Sequence, residues 1–112
     1  MSLTIYGHPR SRTFRVLWVL EELGLPYDLV EIPAYDAAKD SRVKALNPIG
    51  KIPLLQDEGE VLTESMVMGC YLARKAKSPL LPATLIDECR VLQWTSWVQT
   101  EVERPLTQVF QH

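Results

Sequence analysis

Sulfur is scarce in this chain. Its 112 residues hold only two cysteines, Cys70 and Cys89. Both lie in helix-like segments, and their spacing fits neither a disulfide framework nor a zinc site, so a stapled mini-domain and a metal-dependent fold are excluded and no metal is expected. A reducing, cytoplasmic setting is the default for such cysteine usage. Long apolar runs are also missing. The longest, Val16 to Leu20, has five residues, far short of the ~20 that a membrane helix needs. Positive charge is not concentrated: 12 Lys and Arg stand against 14 Asp and Glu, for a net charge of -2. A nucleic-acid surface is therefore not expected. Met1-Ser2-Leu3-Thr4-Ile5 has no basic stretch leading into an apolar one, so no secretory signal is expected. There is no internal repeat and no low-complexity tract.

Hydrophobic residues make up 46% of the chain and charged residues 23%, ordinary values for a globular domain. Leu3-Thr4-Ile5-Tyr6 alternates apolar and polar residues and predicts a first strand ending at Gly7. Ser11 is placed to cap a helix running to Leu23, with Phe14, Leu17, Trp18, Val16, Val19 and Leu20 on a broad apolar face. Gly24 and Pro26 stop it, because glycine accepts the left-handed conformation and proline cannot continue a helix. Tyr27 to Ile32 predicts a second strand, parallel to the first because a helix separates them. A shorter helix is expected over Asp36 to Leu46. Asn47-Pro48 and Gly50 make a turn, Pro53 to Gln56 starts a strand, and Val61-Leu62 returns antiparallel after the turn at Asp57 to Glu60. A third helix runs from Thr63-Glu64-Ser65 to about Ala76, with Val67, Met68, Tyr71 and Leu72 on its apolar side. The order is β-α-β, then α, then β-β-α: an α/β fold with a small mixed sheet and helices on both faces.

The stretch "KSPLLPAT" reads as a linker over residues 79–84. It separates a domain at 1–78 from a long helix over 85–112, opened by Thr84 with Asp87. Pro105 is expected to kink or interrupt that helix. Trp94, Trp97, Val98, Val102, Leu106 and Phe110 make it apolar on more than one side, with no later element to receive them. Either a partner chain covers it or the sequence belongs to something longer.

Four places could carry chemistry. His8-Pro9-Arg10-Ser11 keeps the frame of a Cys-Pro-x-Cys redox turn with both thiols absent. Ser11 combines a hydroxyl with the positive end of a helix and could stabilise a bound thiolate, or could simply be a cap. His8 could be a base or an incidental loop residue, and Arg10, Arg12 and Arg15 add positive potential. Ile52-Pro53 could be a cis bond turning the Ile52 backbone toward an extended peptide-like ligand, although the rarity of cis bonds favours a plain trans proline on the residues alone. Glu64 and Ser65 at a helix start suit the ammonium and carboxylate of an amino-acid end, or are an acidic first turn with a cap. Lys51 and Lys39 could meet a second carboxylate or lie solvated.

"SRTFRVLWVLEELGLPYDLVEI", "NPIGKIPLL" and "LTESMVMGCYLARK" follow one another in an order and spacing that resembles the N-terminal, thioredoxin-like domain of the cytosolic glutathione transferase superfamily, over residues 1 to about 78. "LIDECRVLQWTSWVQTEVERPL" is similar to the first helix of that family's all-helical second domain, and the rest of that domain is absent from this sequence. The resemblance implies that Pro53 is cis and that the Ile52 backbone pairs with the cysteinyl part of glutathione. It implies that Glu64 and Ser65 hold the γ-glutamyl end, and that Lys51, with Lys39, meets the glycyl carboxylate. Glutathione would be the co-substrate, its thiolate attacking an electrophilic small molecule. Counting back from Arg15-Val16, the position where many members carry a catalytic serine is Arg10. In the Cys-Pro-x-Cys frame, His8 and Ser11 match the two thiols. Both registers leave Ser11 as the nearest hydroxyl, with His8, Arg10 and Arg12 as alternatives. The stretch "SR-x-x-R-x-LW" is shared with some bacterial and fungal members.

The expected activity is thus glutathione transfer, with a homodimer burying Trp94, Trp97 or Val98. A second reading is a non-catalytic glutathione-binding or protein-interaction module. A thiol oxidoreductase is disfavoured, because neither thiol of the redox turn is present.

Overall fold

The computed structural model describes residues 3–110. Met1, Ser2, Gln111 and His112, where the first and last expectations above begin and end, lie outside them. The chain forms two compact units, one up to Lys77 and one from Ser78 onward.

In the first unit, β1 (Leu3–Gly7), β2 (Asp28–Glu31), β3 (Leu54–Asp57) and β4 (Glu60–Leu62) form a mixed sheet in the order β2-β1-β3-β4. β2 runs parallel to β1, while β3 is antiparallel to both β1 and β4. Successive strand side chains point to opposite faces, which splits the core in two. Leu3, Ile5 and Leu55 face α1 (Thr13–Leu23) and α3 (Ser65–Lys75), packing with Val16, Leu20, Met68 and Leu72. On the other face, Leu54 joins Ile32, Ala37 and Val43 of α2 (Ser41–Leu46), with Tyr6, Val30 and Ile52 against them.

Three expectations about helices need correction. The segment from Asp36 to Leu46 is not one helix: a 3₁₀ turn at Ala34–Asp36 precedes α2. Asp40 divides them, its carboxylate accepting the Arg42 and Val43 amides at 2.8 and 3.3 Å. A short acidic side chain offers those amides an alternative to continuing the earlier turn. Hydrogen bonds from Arg42 hold this carboxyl down at about 2. Second, α1 starts at Thr13, so Ser11 stands outside it and Arg12 occupies the cap position. Third, α3 turns Met68, Leu72 and Ala73 inward, while Val67 and Tyr71 are exposed.

Tyr71 nevertheless has structural work at its hydroxyl, which donates to Asp57 Oδ2, as does Lys75 Nζ at 2.6 Å. Asp57 is buried, and its Oδ1 has no donor among the described residues. The hydrogen bonds from Lys75 and then Tyr71 hold the carboxyl below its ordinary 3.8. A lowered folded pKa means stability that is present above the unfolded value and lost as pH falls through the folded one. Asp57→Asn is therefore expected to lower the melting temperature at neutral pH. It should also flatten the decline that the parent shows as pH drops below about 4. Thermal melts across that range check both, and parallel curves for parent and variant would show that the pair contributes nothing.

The second unit holds α4 (Leu85–Trp97), a wider π-helical segment at Val98–Glu103, and α5 (Arg104–Phe110). Thr84 precedes the first turn and donates its hydroxyl to Asp87 Oδ2 at 2.8 Å. The interruption expected from Pro105 falls on the turns before it. Proline lacks an N–H, and its ring crowds the carbonyl four residues back. The π-helical turn widens that stretch. Trp94 and Trp97 stack edge to face and are exposed, as are Val98, Leu106 and Phe110. Among the described residues no helix is long and apolar enough to cross a membrane.

Candidate functional site

The strand register gathers the candidate residues at one end of the sheet. Tyr6 faces Leu54, so the loop leaving β1 begins where the segment entering β3 ends. Leu62 faces Leu55, which brings Thr63, Glu64 and Ser65 to the same end. β2 is parallel to β1 and also finishes there, with the Ile32 amide donating to the Gly7 carbonyl at 2.9 Å. Carboxyl ends of parallel strands are the usual place for a ligand in such folds. Ser11, Ile52-Pro53 and Glu64-Ser65 therefore surround one region. Lys39 and Lys51 join it through backbone packing. A Cβ on Gly50, whose φ is +76°, would meet the Ala38 Cα at 3.1 Å, so the two chains that carry these lysines pass against each other. Both lysines are exposed.

Ser11 is half-buried. Its Oγ donates to the His8 carbonyl at 2.7 Å, lies 2.8 Å from Thr13 Oγ1, and accepts the Thr13 amide at 3.2 Å. The role expected of it as a helix cap is replaced by a loop-locking one. His8 Nδ1 accepts the Arg10 amide at 3.1 Å. Arg10 and Arg12 are exposed.

The Ile52–Pro53 peptide bond is cis. Pro53 is buried and Ile52 is half-buried. Asn47 is buried too, and its Nδ2 donates to the Lys51 carbonyl at 3.4 Å while its Oδ1 accepts the Ile49 amide at 3.2 Å, pinning the turn that leads in.

Glu64 is the backbone outlier of the region, with φ 73° and ψ 111° just before α3. A non-glycine residue held there is strained by about 1–3 kcal/mol, a cost that clusters at functional sites. Its side chain is exposed and makes no capping bond. Ser65 is the first residue of α3 rather than its cap, and it is buried. Arg15 Nη1 reaches it at 3.5 Å, tying the first turn of α1 to the start of α3. At that start the first amides lack intrahelical partners and favour an anion.

Two residues that position this region were not singled out from sequence, and a third was read only for its charge. Arg15 was one of several basic residues near a helix start. Thr13 and Gly7 carried no signal beyond a hydroxyl two residues after Ser11 and a glycine at a strand end. Among the described residues, no group of three or more His, Cys, Asp or Glu side chains is placed to hold a metal ion.

The family model described as glutathione S-transferase, N-terminal domain, matches residues 1–74. Glutathione S-transferase 3 of Zea mays is 44% identical over 87 residues, 73% of this chain and 39% of that protein. An elongation factor 1-gamma of Prunus avium is 32% identical over 108 residues, 92% of this chain and 25% of that protein. A theta class glutathione S-transferase from Xanthomonas axonopodis pv. citri, solved with glutathione bound, matches at a TM-score of 0.80 and 32% identity, covering 89% of this chain and 49% of the other. The chain spans half or less of the length of these relatives.

Proposed function

The chain belongs to the cytosolic glutathione transferase superfamily through its N-terminal domain, and from that premise we propose that it binds glutathione at the carboxyl end of its sheet and stabilises the ligand's thiolate. Glu64 and the first amides of α3 take the ammonium and carboxylate of the γ-glutamyl end, with Ser65 beside them. The Ile52 backbone pairs with the cysteinyl part, and Lys51, with Lys39, meets the glycyl carboxylate. Ser11 then turns its hydroxyl toward the sulfur. The thiol proton leaves to solvent and the thiolate attacks an electrophilic carbon, forming a C–S bond as the carbon's leaving group departs with its bonding pair, while the protein is not itself modified. The observation that carries this reading is the convergence of the loops after β1, before β3 and after β4 on one end of the sheet.

Titration calorimetry with glutathione tests it. A single site is expected on the full 112-residue chain, and Lys39→Ala, at an exposed position, should weaken it by no more than about threefold. No heat and no retention on immobilised glutathione would overturn the reading. A homodimer covering Trp94, Trp97 or Val98 belongs to the same proposal, as does a cytoplasmic setting. A monodisperse monomer by light scattering would count against the dimer.

A second reading, a glutathione-binding or protein-interaction module without turnover, is favoured by one observation. The similarity to a protein named elongation factor 1-gamma runs over 92% of this chain. Retention on glutathione with no turnover of chlorodinitrobenzene would select it.

A further inference from the structure

Thr13 is fully buried, yet its hydroxyl lies at the centre of the loop that carries Ser11. Its Oγ1 accepts the His8 amide at 3.2 Å and lies 2.8 Å from Ser11 Oγ. The Thr13 amide, at the first position of α1, points at the same Ser11 oxygen at 3.2 Å. Gly7 makes room for this arrangement, since a Cβ there would sit 2.0 Å from Thr13 Oγ1.

Proton accounting decides what the pair of hydroxyls can do. A serine hydroxyl has one proton and two acceptor sites. In the ligand-free arrangement the proton of Ser11 serves the His8 carbonyl, which can only accept. The hydroxyl–hydroxyl contact must then be donated by Thr13. When the proton of Ser11 turns away from His8 toward a ligand, Ser11 Oγ still receives two hydrogen bonds from behind, one from the Thr13 hydroxyl and one from its amide. An oxygen that accepts such bonds becomes a stronger donor, because chained hydrogen bonds polarise one another. The helix start adds positive potential in the same direction.

We propose that Thr13 is a positioning residue for glutathione activation: its hydroxyl and amide hold Ser11 Oγ from behind and strengthen the hydrogen bond that Ser11 gives to the glutathione thiolate. This rests on the glutathione-binding reading above and adds a residue to it. Thr13 touches neither ligand nor reacting atom. Ser11 keeps its own proton throughout, and only the thiol proton is released.

The test follows the ultraviolet absorbance of the thiolate of bound glutathione as a function of pH, on the full chain, together with the glutathione affinity. It needs no turnover. Thr13→Val, which keeps the shape and loses the hydroxyl, should raise the midpoint of thiolate formation by about one pH unit, roughly tenfold less thiolate below the midpoint. Affinity for glutathione measured below the parent's midpoint, where the bound ligand still carries its thiol proton, should stay within about twofold of the parent, because the binding contacts lie elsewhere; above the midpoint it should fall in step with the weaker thiolate. Thr13→Ser should restore the parent midpoint. Ser11→Ala should raise the midpoint at least as much, and adding Thr13→Val to Ser11→Ala should change nothing more. Should Thr13→Val not fold, the pair Thr13→Ala and Thr13→Ser makes the same comparison. A parent-like midpoint in Thr13→Val beside a raised one in Ser11→Ala would overturn this inference and leave the glutathione reading intact. So would a Thr13 effect that persists undiminished without Ser11, or one seen in affinity alone. A parent-like midpoint in Ser11→Ala would overturn the assignment of Ser11 and the inference with it. Absence of any bound thiolate in the parent would overturn the whole reading.

Discussion

Glu64→Ala is expected to weaken glutathione binding by roughly 10- to 100-fold, the range for losing a hydrogen bond to a charged partner. Ser65→Ala should act in the same direction, because its hydroxyl stands at the α3 start where the carboxylate is to be held. The physical case for Glu64 is its lack of any other duty. Its side chain is exposed and caps nothing, so alanine leaves the helix start as it was. The backbone makes a second, separable expectation. At φ 73° and ψ 111° a glycine, with no Cβ, is less strained than glutamate, so Glu64→Gly should gain up to about 1 kcal/mol of stability while losing affinity as Glu64→Ala does. A gain in stability together with a loss of binding is the signature of strain held for function. Calorimetry paired with thermal melts reads both. Negligible effects of Glu64→Ala and Ser65→Ala on affinity would sink the γ-glutamyl assignment.

Replacing Gly7 by alanine should be strongly destabilising for a change of a single methyl group. The added carbon would stand 2.0 Å from Thr13 Oγ1, 2.8 Å from its Cγ2 and 2.9 Å from its Cβ. Thr13 is fully buried and tied to His8 and Ser11, so it has nowhere to swing. Gly7 cannot retreat either, since it is paired with Glu31 and accepts the Ile32 amide. Forced overpacking of this kind costs about 3 kcal/mol, a large share of a small domain's stability. Denaturant unfolding measures it. Adding Thr13→Ala removes two of the three colliding atoms and should recover part of the loss. If Gly7→Ala unfolds with the parent's midpoint, the close packing of strand end on helix start is wrong.

Much of the fold was legible because its signals are local. Alternation in Leu3 to Tyr6, the Gly24-Pro26 stop and the turn before Val61-Leu62 each act within a few residues, where backbone sterics alone decide. The parallel pairing of β1 and β2 followed from the helix between them. Where the reading slipped, a competing bond had intervened. Asp40 took two amides and divided a helix that periodicity made continuous. Tyr71 looked like core by spacing, yet its hydroxyl reaches Asp57 and its ring stays exposed. Ser11 and Ser65 each looked like a cap, and each stands off the cap position by one residue, on opposite sides of it.

By itself, then, the sequence determined the order of elements, the family that this order marks, and a short roster of candidate residues, which the proposed function assigns to glutathione's charges. These depend on residue type and spacing along the chain. Only the tertiary structure decided that Glu64 sits in a strained backbone, that Arg15 reaches Ser65 across two helices, and that a buried threonine stands behind Ser11. Each depends on where atoms distant along the chain, or turned by a single dihedral angle, come to rest. A hydrogen bond is made or lost over a few tenths of an ångström, a scale that residue spacing does not carry and that the packing of Gly7 on Thr13 does.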